Sequence, residues 1–266
     1  MRLSQAFALL SILSISCVTD GGPWKEGSGW KLVWSDEFDK DGAPDASKWG
    51  YETGFVRNDE KQYYTKDRRE NARVEKGVLV IEARKEKFEN GEYTSASLQT
   101  QGKGQWTYGR FEVRAKLPAG RGMWPAAWML GANIGEAGWP LCGEIDIMEN
   151  VGYDHDKVHF NIHTKAFNHS IHTNKGAAVP LASPSSAFHN YAVEWEPKRM
   201  RFFLDGKVTF EFKNDGKGVE HWPYDKPQYM ILNSAIGGGW GGQKGIDDSI
   251  FPTRYEIDYV RVYQKN

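Results

Sequence analysis

From Trp30 onward, apolar and polar positions change places with a two-residue period over many short runs. Phe111, Val113, Ala115 and Leu117 alternate with Arg110, Glu112, Arg114 and Lys116, and Val158, Phe160 and Ile162 alternate with His159, Asn161 and His163. Trp30, Leu32 and Trp34 share one parity in the same way. Turn chemistry separates the runs. Glu75-Lys76-Gly77 stands between residues 72–74 and 78–81, Asn90-Gly91 is a second hairpin signal, and Asp205-Gly206 joins residues 200–204 to 208–212. No long stretch has a helical period, and no internal repeat or low-complexity tract occurs. Short helical turns are expected at 45–48 and near 247–249. Many short strands with glycine-rich turns predict an all-β chain folded as an antiparallel β-sandwich.

One run departs from simple alternation. Gly143-Glu144-Ile145-Asp146-Ile147-Met148-Glu149-Asn150 has the apolar, β-branched content of a buried strand, yet it carries three carboxylates. Burying carboxylates without fixed partners is costly, so such a strand reads as a site rather than as filler. Strand parity puts Glu144 and Asp146 on one face with Met148, and Ile145, Ile147 and Glu149 on the other. A β-bulge near Ile147 and Met148 adds one residue and returns Glu149 to the face of Glu144 and Asp146. Glu, Asp and Glu in a row is the arrangement that cleaves a glycosidic bond between two carboxyl groups. One Glu attacks the anomeric carbon and the other protonates the leaving oxygen. The Asp between them orients the first and modulates its charge. The competing reading is an exposed strand with hydrated carboxylates. Ile145, Ile147 and Trp139 argue against it, because they read as core.

Composition narrows the partners. The chain has 266 residues, enough for one large all-β domain, and a formal net charge of −1. That becomes −2 once residues 1–17, whose only charge is Arg2, are set aside. A balance this close to neutral argues against a nucleic-acid partner, which needs a basic face. Aromatic residues make up 14% of the chain and include 11 Trp, more than packing needs; flat rings of this kind stack on the apolar faces of pyranose units.

Residues 3–15 form an apolar run behind Arg2, too short to span a bilayer and placed like the core of a secretory signal. Cys17, after Ser14-Ile15-Ser16, resembles the lipidated cysteine of a bacterial lipoprotein signal, with an ordinary signal peptide as the alternative. Residues 1–17 are therefore expected to be a signal peptide, 18–29 a flexible Gly-rich tether, and 30–266 the folded domain. The expected location is the cell surface or outer membrane, otherwise the periplasm or the medium, with membrane contact only through the lipid. Cys142 is then left without a partner, so no intramolecular disulfide is expected, and a buried thiol is its default state.

Trp124-Pro125-Ala126-Ala127-Trp128-Met129-Leu130-Gly131, followed by 143–149, resembles glycoside hydrolase family 16, in the bacterial laminarinase and β-glucanase branch with the bulged Glu-x-Asp-x-x-Glu. The similarity runs from about Trp30 to Tyr263 and includes Tyr108-Gly109-Arg110-Phe111-Glu112, Tyr191-Ala192-Val193-Glu194-Trp195 and residues 255–262. It implies a jelly roll of the concanavalin A type with a catalytic cleft on its concave sheet. It also implies an endo-acting β-glucanase that retains configuration, with Glu144 as nucleophile, Glu149 as acid/base and Asp146 as assistant. It does not choose between β-1,3- and mixed-linkage β-1,3/1,4-glucan. A galactan hydrolase is the enzymatic alternative, and a non-catalytic glucan-binding module, since lectins share the sandwich, is the alternative from another class. A monomer is expected.

The resemblance carries further positions. Asn58 falls in a loop where the family's Asn contacts sugar; an Asx-turn is the bland reading. Trp124 and Trp128 would flank the catalytic subsites, although core burial competes, more strongly for Trp128. His163 would hydrogen-bond Glu149 and help set its proton affinity. Asn233 and Trp240, the latter in a run of glycines, would approach the cleft. Arg110 would donate to sugar hydroxyls if the polar face of its strand is the cleft floor, whereas Arg114 and Lys116 read as solvated charges. No cofactor is expected for catalysis. A structural calcium on the convex side would use Glu37, Gly77 and Asp258, although a salt bridge to an arginine would satisfy Asp258 equally. His155 and His159, four apart with an acid after the first, imitate a helical zinc motif, but the strand pattern around them denies the helix.

Overall fold

The computed structural model describes residues 29–266. The expected signal peptide, Cys17 and nearly all of the expected tether lie outside the described residues. In chain order the first strands are β1 (Trp30–Asp36), β2 (Gly50–Tyr51), β3 (Gln62–Tyr64), β4 (Ala72–Glu75), β5 (Val78–Phe88) and β6 (Gly91–Ser95). Next come β7 (Ser97–Gln99), β8 (Gly109–Lys116), β9 (Met123–Gly131), β10 (Glu144–Glu149), β11 (Lys157–His163) and β12 (Lys175–Pro180). The last are β13 (His189–Glu196), β14 (Arg199–Leu204), β15 (Lys207–Lys213), β16 (Gln228–Ile236) and β17 (Thr253–Lys265). Helical segments are single turns, among them α1 (Ile134–Ala137), α2 (Gly238–Gly241) and a 3₁₀ turn at Asp248–Ile250. The segment at 45–48 is a hydrogen-bonded turn rather than a helix, with Lys48 and Trp49 both donating to the Asp45 carbonyl.

The strands form two sheets of a jelly-roll sandwich. One runs β12-β11-β10-β9-β16-β7-β2, and the other β15-β14-β13-β8-β17-β5-β6-β3 with β1 on β17 and β4 on β5. Pairing is antiparallel except between β3 and β6, which run parallel. The turns obey the chemistry expected of them: Lys76 and Gly77 have φ of 55° and 77°, and Asp205 and Gly206 have 48° and 77°. Positive φ at both central residues matches the right-handed strand twist, which is why Gly follows each polar residue there.

The core lies between the sheets. Phe111, Val113, Ala115 and Leu117 meet Ala127, Met129, Ile145, Ile147, Phe160 and Ile162 in one buried cluster. The polar face of β8 therefore points away from the core, and β8 belongs to the sheet without the three carboxylates. Arg110 is not a cleft residue: its guanidinium pairs with Glu112 at 2.7 Å and Glu194 at 3.3 Å on the opposite side of the molecule. Parity shows which face of a strand is polar, but not which sheet the strand joins. Arg114 and Lys116 are not simply solvated either, being paired with Asp258 and Glu256 on neighbouring β17.

Candidate active site

Strand β10 carries the bulge its carboxylates require. Against β9, Asp146 pairs with Trp128 but Met148 pairs with Ala127, and the β11 register slips over the same interval. Ile147 is the added residue. Ile145, Ile147 and Met148 are all fully buried in the core, so Glu144, Asp146 and Glu149 share the outer face with Leu130, Trp128 and Ala126 opposite them. Burial of two consecutive apolar residues stabilises the bulge, because the regular register would drive the Glu149 carboxylate into the core.

Each carboxylate has its own surroundings. Trp139 Nε1 donates to Oε2 of Glu144 at 2.7 Å. Oε1 of Glu144 lies 3.6 Å from His163 Nε2, which is 3.3 Å from Oδ2 of Asp146. The Tyr224 hydroxyl lies 3.0 Å from the backbone carbonyls of both Glu144 and His163 and ties β10 to β11. Burial, and next the charge of Glu144, push Asp146 well above the usual carboxylate range, in the direction that favours a proton between Asp146 and Glu144. At the other end of the strand Glu149 accepts from Trp124 Nε1 at 3.0 Å and from Asn161 Nδ2 at 3.1 Å. Burial first, then Asp146 and Glu144, raise its pKa to about 8, against the opposing effects of His163 and Trp124. Glu149 is thus a carboxylic acid at neutral pH, as a general acid must be.

The register assigns His163 differently from the expectation. Glu144 pairs with His163 and Glu149 with His159, so His163 stands at the Glu144 end of the row. It approaches Glu144 and Asp146, and the side chain that hydrogen-bonds Glu149 from β11 is Asn161. Asn161 shares the parity of His159 and His163, a signal that could have identified it. Trp139 could not have been found this way: it is 37% exposed in the loop before β10 rather than part of the core, and no periodicity reaches it.

The remaining aromatic and amide positions converge on this face. Trp128 is buried and donates through Nε1 to Asn233 Oδ1 at 2.8 Å, and Asn233 donates to the Tyr64 hydroxyl at 2.9 Å. The Arg57 guanidinium lies 5.0 Å over the Trp128 ring. Trp240, on α2, packs edge-on against Trp124 at 5.5 Å and His159 at 4.8 Å. Asn58 has φ of 58°, donates to Glu60 Oε1 at 3.1 Å, and accepts from the Gly239 amide. Its loop and the glycine-rich turn of Trp240 are therefore one unit beside Trp124. His159 lies on strand β11 and His155 in the turn before it, so the two do not share a helix. Cys142 is a buried free thiol, raised to about 11 by burial and by Glu144.

On the far sheet, β1 and β17 place Asp36 opposite Val260, and β17 and β5 place Ile257 opposite Leu79, so Glu37, Gly77 and Asp258 lie in one region. Both carboxylates are engaged there by arginines. Glu37 accepts two hydrogen bonds from Arg261, at 3.0 and 2.7 Å, and Asp258 accepts one from Arg114 at 2.7 Å. Of the two partners expected for Asp258, a salt bridge to an arginine is the one present here.

Residues 59–261 match the family model described as glycosyl hydrolases family 16. The chain belongs to that family. A β-glucanase from Rhodothermus marinus is 50% identical over 96% of this chain and 93% of its own length. The X-ray structure of the laminarinase from Rhodothermus marinus superposes with a TM-score of 0.87 at 51% identity, covering 89% of this chain and 98% of that one. A mutant of SCLam, a non-specific endo-β-1,3(4)-glucanase from family GH16, co-crystallised with 1,3-β-D-cellotriosyl-glucose and presenting 1,3-β-D-cellobiosyl-glucose at its active site, also gives 0.87, at 52% identity over 90% of this chain and 96% of that one. In this family 16 chain, as in the sequence motif, the acid pair of a glycoside hydrolase sits on one sheet face.

Proposed function

We propose that the chain is an endo-acting, retaining β-glucanase that hydrolyses β-1,3- or mixed-linkage β-1,3/1,4-glucans by double displacement. The observation that carries the reading is the bulge at Ile147, which brings Glu144 and Glu149 to one face in two different electrostatic settings. Glu144 attacks the anomeric carbon while Glu149 passes its proton to the leaving glycosidic oxygen. Glu149, now a carboxylate, deprotonates a water that attacks the covalent glycosyl intermediate, and Glu144 leaves. The Asp146 proton lies beside Glu144 and stabilises that carboxylate when it departs. Trp139, Trp124 and Trp240 offer indole surface to pyranose rings along the cleft. The signal-like residues 1–17 support export, and Cys17 supports a lipid anchor.

The four strand steps left between Glu144 and Glu149 once Ile147 is bulged correspond to roughly 13 Å between Cα atoms on a straight strand. Two Glu side chains that lean toward each other on a concave sheet close most of this gap, and a separation of about 5.5 Å between carboxyls would give retention. An NMR time course of hydrolysis is expected to show the β-anomer first. The α-anomer first would overturn the nucleophile role of Glu144. Product analysis on laminarin, lichenan, barley glucan and agarose is expected to release reducing ends from the glucans and none from agarose.

A further inference from the structure

Glu144, Asp146 and His163 have a geometry that sugar chemistry alone does not require. One ligating atom from each lies within 4.8 Å of the other two, and this trio stands on the cleft floor. His163 Nε2 is 3.3 Å from Asp146 Oδ2 and 3.6 Å from Glu144 Oε1. Nitrogen and oxygen bonds of about 2.0–2.2 Å to a tetrahedral ion put neighbouring ligand atoms about 3.3–3.6 Å apart, the same spacing.

A second observation points into the same place. Asp146 is 2% exposed, and its Oδ2 has no hydrogen-bond partner although it faces His163 Nε2. Trp139 holds Oε2 of Glu144, leaving Oε1 on the His163 side. A doubly charged ion bound between Asp146, Glu144 and the imidazole displaces the proton and gives the buried Oδ2 of Asp146 the partner it lacks. One imidazole and two carboxylates, with a position left open toward the cleft, suit zinc and its neighbours better than calcium or magnesium, which take oxygen ligands.

We propose that Glu144, Asp146 and His163 bind a divalent transition metal of the zinc class on the cleft floor, and that this ion and a glucan chain exclude one another. The ion ties up the carboxylate that attacks the sugar, so the bound form is inactive. The site itself does not depend on which glucan is cut; the exclusion rests on the β-glucanase reading.

Isothermal titration calorimetry of the wild-type protein with zinc chloride, in a buffer that does not chelate zinc, reads the site directly. One ion per chain is expected, with affinity reduced more than about tenfold in His163→Gln and in Glu144→Ala, since loss of a ligand costs at least what loss of a supporting contact does. The variant His221→Asn, whose imidazole pairs with Asp215 away from the trio, is expected to bind as the wild type does. No binding to the wild type, or wild-type affinity in both ligand variants, overturns the site. If His163→Gln does not fold, Glu144→Ala with cobalt(II) still decides: the wild type is expected to show the intense visible bands of four-coordinate cobalt and the variant to lose them, and bands retained in the variant overturn the site. In laminarin hydrolysis, zinc is expected to raise KM with kcat unchanged and EDTA to reverse it. Zinc bound at the site with KM unchanged overturns the exclusion, whereas a failure of the β-glucanase reading shows as no hydrolysis before zinc is added.

Discussion

The indole N–H of Trp139 reaches Oε2 of Glu144 at 2.7 Å, from a loop that shares no strand with it. The proposed nucleophile thus accepts a hydrogen bond from a residue that is itself 37% exposed, where a sugar ring bound beside it would cover the indole and shield the hydrogen bond from water.

Replacing Trp139 with Phe keeps a ring in place and removes the donor. A hydrogen bond to a charged group contributes about 1.5–3 kcal/mol, which corresponds to a fall in kcat of about ten- to a hundredfold. Initial rates on laminarin check it; an unchanged kcat would mean that the contact does not orient Glu144.

Glu144→Gln is expected to abolish turnover while oligosaccharide affinity, measured by calorimetry, stays within about threefold, because the amide keeps the shape and loses the attacking atom. Asp146→Asn is expected to slow the reaction less, since an Asn amide can still donate to Glu144 where the Asp146 proton does. Equal damage from the two substitutions would assign Asp146 a direct chemical step.

The proton on Glu149 sets both activity and stability against pH. Activity requires the protonated acid, so kcat/KM is expected to fall as pH rises through about 8. For stability, an unfolded Glu loses its proton near 4.5 whereas the folded one keeps it to about 8. The folded state therefore binds more protons between those values, and its stability declines as pH rises across that window. Glu149→Gln removes the decline: relative to this variant, the wild-type Tm is expected to drop between pH 5 and pH 8. Parallel Tm curves would show that burial does not hold the proton on Glu149.

Cys17→Ala tests the proposed anchor. The wild-type protein is expected to sediment with membranes, and the variant to appear in the soluble fraction or to accumulate unprocessed. A wild-type protein found soluble in the medium would point to an ordinary signal peptide instead.

Strand positions and the candidate carboxylates were legible in the chain itself. Alternation marks a strand because successive side chains leave opposite faces, and positive-φ turns at Lys76-Gly77 and Asp205-Gly206 announce themselves through glycine. Even the bulge could be inferred, since Ile145, Ile147 and Met148 needed the core and Glu149 could not enter it. Long-range pairing was not legible, because parity is blind to which strands become neighbours. The pairing of β8 with β13 and β17 sent Arg110 to the opposite sheet, and the register of β10 on β11 set His163 beside Glu144 and left Asn161 to reach Glu149. Trp139 lies in a loop, where no period applies, and only the closed fold carries its indole to Glu144. Glu37 and Asp258 met arginines for the same reason: a carboxylate states that it needs a partner, but only the packed sheet decides which one lies within reach.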